Sequence, residues 1–162
     1  MTEMALAHPS WRMISWLPGA VLRWVFNSTR MASLVEIDVR PRGSALTFDC
    51  GDAPLVDLWL TVRNGTPFVV TLDRLRVDLW CSGRRLGELW FLERIAVPAG
   101  TKGRDLLVRG LAGVRYDRLL EKDPRGSIQV RAYFESKVGR FELNTRQLEG
   151  IRPELVNVLS RQ

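Results

Sequence analysis

From residue 34 onward, hydrophobic and polar residues alternate along most of the chain, the period-two mark of half-buried β-strands. Within 34–40, Val35, Ile37 and Val39 share one face, and Glu36, Asp38 and Arg40 the other. Residues 44–50 set Leu46, Phe48 and Cys50 together, and 55–63 do the same with Val56, Leu58, Leu60 and Val62. Residues 74–81 align Leu75, Val77, Leu79 and Cys81 before Ser82-Gly83, a turn signal that makes Gly83 the tip of a hairpin. The return strand, 85–92, is followed by 95–100, 105–109, 127–136 and 140–145, the last two joined through Lys137-Val138-Gly139. Helical spacing is scarce. It is loose over 114–122, where Pro124-Arg125-Gly126 ends it, and Pro153 suits the first turn of a helix over 153–161 that packs Leu155, Val158 and Leu159. The pattern predicts an all-β fold, an antiparallel β-sandwich over 34–145, with an N-terminal apolar segment over 1–33 and a C-terminal helical tail over 146–162.

The segment before residue 34 is of another kind. Residues 11–26 hold three of the six tryptophans and are interrupted by Pro18-Gly19 and Arg23. The uncharged run from Met13 to Leu22 is half of the roughly 20 residues that a spanning helix needs. As a secretory signal the segment is poor, since Glu3 and His8 precede it without a basic cluster and no small-residue cleavage site follows Phe26. Tryptophan and arginine around a short apolar stretch suit a segment lying in the headgroup plane of a membrane. Trp11, Arg12, Trp16, Leu17, Arg23, Trp24 and Phe26 are therefore the expected membrane or partner contacts. The alternatives are a helix that packs on the protein's own core and a docking segment for a protein partner. Trp59, Trp80 and Trp90 fall on outward positions of their strands and make a second expected hydrophobic contact surface, unless the N-terminal segment or the C-terminal helix covers them.

Composition narrows the chemistry. With 162 residues, 46% hydrophobic and 26% charged, the chain has the make-up of one globular domain rather than of a disordered tail. The net charge of +6 is spread out, with three basic and one acidic residue over 1–33, eleven and ten over 34–110, and ten and seven over 111–162, so no nucleic-acid partner is expected. Cys50 and Cys81 lack metal-ligand spacing and read as buried thiols, with a disulfide as the alternative if their strands are neighbours; neither a metal nor a cofactor is expected. His8, the single histidine, precedes Pro9 far from the strands, which removes histidine-based nucleophilic catalysis. Asp52 with Asp57, or Glu88 with Glu93, are the carboxylate pairs on offer, and their alternation with arginine marks them as surface charges. No catalytic residue is expected, and the reading is of a protein that is not an enzyme. At the 64–68 turn, Asn64 is suited to cap the backbone, Gly65 to take a positive φ, and Pro67 to remove a ladder donor.

The order of these features is also familiar. Val62-Arg63-Asn64-Gly65-Thr66-Pro67-Phe68, a strand pair turning at Gly83 between Leu72 and Gly87, Ile95-Ala96-Val97-Pro98-Ala99-Gly100, and Gly126-Ser127-Ile128-Gln129-Val130 together resemble the late embryogenesis abundant type 2, or WHy, domain over roughly residues 34–145. The family's usual Asn-Pro is here Asn64-Gly65, with the proline displaced to Pro67. The resemblance implies a fibronectin type III-like sandwich and a non-catalytic role in stress tolerance or in hydrophobic binding close to a membrane. The expectation is a cytoplasmic domain, peripheral to a membrane, that contacts a lipid, another hydrophobic ligand or a protein partner. The alternative is a soluble stress-protective structural domain.

Overall fold

The structure, a computed structural model, describes residues 17–40, 44–51, 55–81, 83–111 and 125–157. Helices α1 (Gly19–Val25) and α2 (Ser28–Leu34) come first. The strands follow as β1 (Val35–Val39), β2 (Leu46–Asp49), β3 (Leu55–Asn64), β4 (Val70–Cys81), β5 (Arg84–Phe91), β6 (Ile95–Val97), β7 (Gly100–Leu111), β8 (Gly126–Ser136), β9 (Gly139–Asn144), β10 (Leu148–Ile151) and β11 (Pro153–Val156). The fold is all-β, built from two sheets.

In the first sheet β3 is central. β7 pairs antiparallel along one side of it, and β1 and β2 share the other, from Val35 opposite Asn64 to Val39 opposite Leu60 and again from Leu46 opposite Leu58. Trp59 falls where that line is interrupted: its N–H donates to the Ala45 carbonyl (2.7 Å) and its carbonyl accepts from the Arg40 N–H. In the second sheet β4 is central, with β8 on one side and β5 and β6 sharing the other, while β9 and β10 share the far edge of β8. β4 buries Leu72 and also Leu75, an odd spacing. A β-bulge explains it: Leu72 pairs with Phe134 and Arg74 with Tyr133, so Asp73 and Arg74 together oppose one residue.

Alternation fills the core as expected, with Leu58, Leu60, Val77, Leu79, Val130 and Phe134 all at 2% exposure or less. Both sheets contribute to one hydrophobic cluster. Along one margin Arg104 of β7 donates to the Ala96 carbonyl of β6 (2.7 Å), and a Cβ on Gly110 of β7 would come within 2.6 Å of Leu89 Cδ2 on β5. Along the other margin the chain steps from β10 in the second sheet to β11 in the first.

Two expectations need correction. Residues 153–156 form no helical turn; they are β11, parallel to β2, with the Cys50 N–H donating to the Val156 carbonyl (2.9 Å). A helix begun at Pro153 would strip the β2 edge of these bonds, and the pairing outweighs the helical spacing of Leu155. Asn157, at φ 53°, turns the chain away and donates from Nδ2 to Asp49 Oδ1 (2.9 Å). Gly65 is not a positive-φ position. It is glycine because a Cβ would lie 2.8 Å from the Leu34 carbonyl oxygen, which its own N–H reaches at 2.8 Å. The expected helix over 114–122 and the rest of the C-terminal helix lie outside the described residues.

Candidate functional site

The sequence places the candidate site before residue 34, and the fold shows what that segment leans on. Pro18 opens α1, where its missing N–H costs nothing. Asn27 caps α2, accepting the Arg30 N–H at 2.9 Å. The helices bury Leu22, Phe26 and Met31. The Phe26 ring meets Phe68 edge-on at 5.1 Å between centroids, and the Arg30 guanidinium lies 5.7 Å over the Phe26 ring.

α2 packs against β9, and the helical segment also meets the β3–β4 turn, which Asn64 organises. This side chain is fully buried, donating from Nδ2 to the carbonyls of Phe68 (2.7 Å) and Val97 (2.9 Å). Its Oδ1 accepts from the N–H and the hydroxyl of Thr66 at 2.9 and 2.7 Å. The expected turn cap is thus also a clamp, because Val97 belongs to β6 in the second sheet while Asn64 ends β3 in the first.

The outward side of α1 is apolar as well. Val21 is 43% exposed and Trp24 85%, and Leu17, just ahead of the helix, is 41% exposed. The three-residue interval puts Val21 and Trp24 on one side of α1, turned away from Leu22, and Leu17 precedes the helix ahead of Pro18. Of the expected contacts, Leu17, Arg23 and Trp24 are exposed, whereas Phe26 is in the core, an assignment the structure corrects. Phe26 is the C-cap residue of α1, and its ring is buried against Phe68. Trp11, Arg12 and Trp16 lie outside the described residues.

The strand tryptophans do not converge. Trp59 is on the first sheet, opposite Leu107 of β7 and 43% exposed. Trp80 and Trp90 are on the second sheet, half-buried and exposed respectively. Around Trp90 the charges are tightly matched. Its Nε1–H donates to Glu88 (3.1 Å), Arg76 pairs with Glu88 (2.8 Å) and Asp78 (3.2 Å), and Arg85 bridges Asp78 and Glu88. Burial pushes the Asp78 carboxyl up, but hydrogen bonds and charge from Arg85 and Arg76 outweigh it and hold the group below the usual carboxylate range.

Of the candidate carboxylates, Asp57 and Glu88 are occupied by neighbours, Glu93 is exposed and Asp52 lies outside the described residues. Asp57 accepts two bonds from Arg109, at 2.6 and 2.7 Å, and Glu88 belongs to the cluster around Trp90. Burial, with the charge of Asp49 adding to it, pushes the Cys50 thiol above its ordinary range, the reverse of what a reactive thiolate needs. Cys81 is buried, and both cysteines are free thiols. A recess of about 330 Å³ opens beside the β4 bulge, lined by Asp73, Arg74, Tyr133, Glu135, Arg140 and Glu142 over Phe134 and Phe141, with the Arg74 guanidinium 4.4 Å over the Tyr133 ring. Among the described residues no helix is long and apolar enough to cross a membrane, and no group of histidine, cysteine and carboxylate side chains is arranged to hold a metal ion.

No family model and no curated protein matches the sequence. Solved structures do. The structural genomics target SoR45 superimposes with a TM-score of 0.50 at 12% identity, over 80% of this chain and 92% of the other. A Bordetella pertussis target, BeR40, gives 0.48 at 8% identity over 73% and 93%, and a protein from Arabidopsis thaliana, solved in solution, gives 0.46 at 15% identity over 73% and 78%. At these identities the likeness to SoR45 is one of fold alone.

Proposed function

We propose that this chain is a non-catalytic β-sandwich domain of the fibronectin type III kind that works at a membrane surface, which it touches through the outward side of α1. The sandwich reading is supported by the single core that both sheets share and by the Arg104 and Gly110 contacts along their margin. Kinship with the late embryogenesis abundant type 2 family stays part of the proposal, resting on the strand order around Asn64, Gly83 and Gly126.

The observation that carries the functional reading is the exposed apolar side of α1, Val21 and Trp24 with Leu17 just ahead of it, on a helix whose Leu22 is already seated in the core. Withdrawing an aliphatic side chain fully from water is worth about 1.5–3 kcal/mol, so three exposed apolar groups on one short segment make a usable contact. Tryptophan suits the headgroup level, where its ring is buried and its N–H stays hydrated. The non-catalytic part is supported by the pairing of Asp57 and Glu88 with arginines and by the protonated state favoured for Cys50.

Co-sedimentation of the full chain with phospholipid vesicles tests the reading. Wild type is expected to bind, and Val21→Ser with Trp24→Ser to release the protein without shifting its melting temperature. A wild type that ignores vesicles at low salt would overturn it in favour of the second reading, a stress-protective structural domain whose N-terminus completes its core. That second reading draws on the burial of Leu22, Phe26 and Met31.

A further inference from the structure

Strand register brings several distant segments to one end of the molecule. Val35 lies opposite Asn64 and Asn64 opposite Gly100 in the first sheet; Val70 lies opposite Val97 and Ser136, and Ser136 opposite Gly139, in the second. Asn64 ties the two sets together through Val97, and Phe68 anchors α1 and α2 to the same end. The segments that cap this end are 17–34, 65–69, 98–103 and 137–139. They contain Arg23, Arg30, Lys102 and Lys137 and not one aspartate or glutamate. In a chain with 18 acidic residues, most of the described ones interleaved with arginines on the strands, that separation is a property of the fold and not of any local run. All four cations are exposed, with Lys137 Nζ 4.6 Å over the Phe68 ring. Val69, in the β3–β4 turn, adds a second apolar tip at 54% exposure, apart in sequence from Trp24.

We propose that the docking face is this whole end of the molecule, and that its partner is an anionic phospholipid surface, met end-on. The inference rests on the membrane reading above and adds to it the lipid charge, the orientation, and Lys102, Lys137 and Val69 as contacts. Cations without acids among them attract an anionic leaflet over about a Debye length, and Trp24 and Val69 then enter the interface. The opposite end provides the contrast. Arg84, beside the Gly83 hairpin, and Arg152, between β10 and β11, are exposed there, but Arg152 stands between the exposed carboxylates of Glu149 and Glu154.

The experiment compares full-length variants on vesicles of phosphatidylcholine alone and of phosphatidylcholine with phosphatidylglycerol. Lys102→Glu with Lys137→Glu is expected to lower partitioning to the anionic vesicles at least tenfold and to leave the weak binding to neutral ones unchanged. Arg84→Glu with Arg152→Glu, an equal change in net charge at the far end, is expected to cost less than twofold. Lys102→Glu alone repeats the test with a side chain that has no ring contact, should the Lys137 change loosen Phe68. If the Lys102 and Lys137 variants bind like wild type, or the far-end pair loses as much, end-on docking is overturned while the membrane reading stands. Equal binding of wild type to both vesicle types overturns the anionic assignment in the same way. Failure of wild type to bind either overturns the membrane reading and this inference with it.

Discussion

Asn64 shows how much one buried amide can hold. Its Nδ2 and Oδ1 make four hydrogen bonds that join the end of β3, the turn to β4 and the end of β6 with no exposure to water. Truncation strands the Val97 carbonyl and the Thr66 N–H in the interior, where each unsatisfied group costs about 1–3 kcal/mol before relaxation, while the Phe68 carbonyl keeps the Thr66 hydroxyl at 3.0 Å. Asn64→Ala is therefore expected to destabilise by about 3 kcal/mol in urea unfolding, and a loss under 1 kcal/mol would show that water or rearrangement replaces the clamp. Leu79, 2% exposed on the inner face of β4, provides the apolar comparison: Leu79→Ala is expected to cost about 2–5 kcal/mol through the cavity it leaves. Arg76, on the opposite face, is held by Asp78 and Glu88, and Arg76→Ala is expected to cost about 1 kcal/mol, as a partly exposed ion pair does. Equal losses for Leu79 and Arg76 would contradict the assignment of inner and outer faces. The turn-capping part of Asn64 was legible in the sequence from the residues around it. Its reach to Val97 was not, because nothing local relates positions 64 and 97.

At the scale of elements, the long strands were legible because each shows the alternation over at least five residues, long enough for period two to stand out. β10 and β11, four residues each, are too short for that, and their sequence around Pro153 looked like a helix start. They are strands because each finds the edge of an existing sheet, β10 against β8 and β11 against β2. The two-faced nature of α1 was legible only in part: spacing shows that apolar residues fall on both sides, but not which side meets Phe68, so Phe26 looked like a contact. The junction of α2 with the β3–β4 turn depends on Gly65. Gly65→Ala sets a methyl 2.8 Å from a backbone carbonyl, which cannot swing aside as a side chain can, so early loss of amide protection over 28–34 in hydrogen exchange is expected. Unchanged protection would mean that the junction yields without cost. The cluster on β4 and β5 supplies a pH test. The folded carboxyl of Asp78 titrates below its unfolded counterpart, so its contribution is complete above the usual carboxylate range and is lost as pH falls through the depressed folded value. The melting-temperature gap between wild type and Asp78→Asn should be widest near neutral pH and should close on acidification. A gap independent of pH would remove the ion pairs as its cause.

For the whole molecule, the N-terminal helices are both part of the core and the candidate contact, which makes deletion a poor probe of either role. A chain begun at Ser33 would lose Leu22, Phe26 and Met31, all at 3% exposure or less, and uncover Phe68 and its surroundings; aggregation of such a chain would say nothing about membranes. Point changes on the two faces of α1 separate the roles. Phe26→Ala removes a buried ring that packs edge-on against Phe68 and is expected to lower stability by about 3–5 kcal/mol while leaving the outward side of α1 intact, so at temperatures where the variant is folded its vesicle partitioning should match wild type. Trp24→Ser acts on a side chain that is 85% exposed, where substitutions away from the core change stability by about 0.5 kcal/mol or less, and should lower partitioning alone. The two variants thus have crossed signatures in two measurements, denaturant unfolding and vesicle co-sedimentation. If Phe26→Ala lost vesicle binding while still folded, the contact would depend on how α1 is seated and not only on its outward side. If Trp24→Ser lost stability, the tryptophan would be covered in the free protein, α1 would act as a lid, and the lack of aspartate and glutamate in 17–34, 65–69, 98–103 and 137–139 would need another explanation.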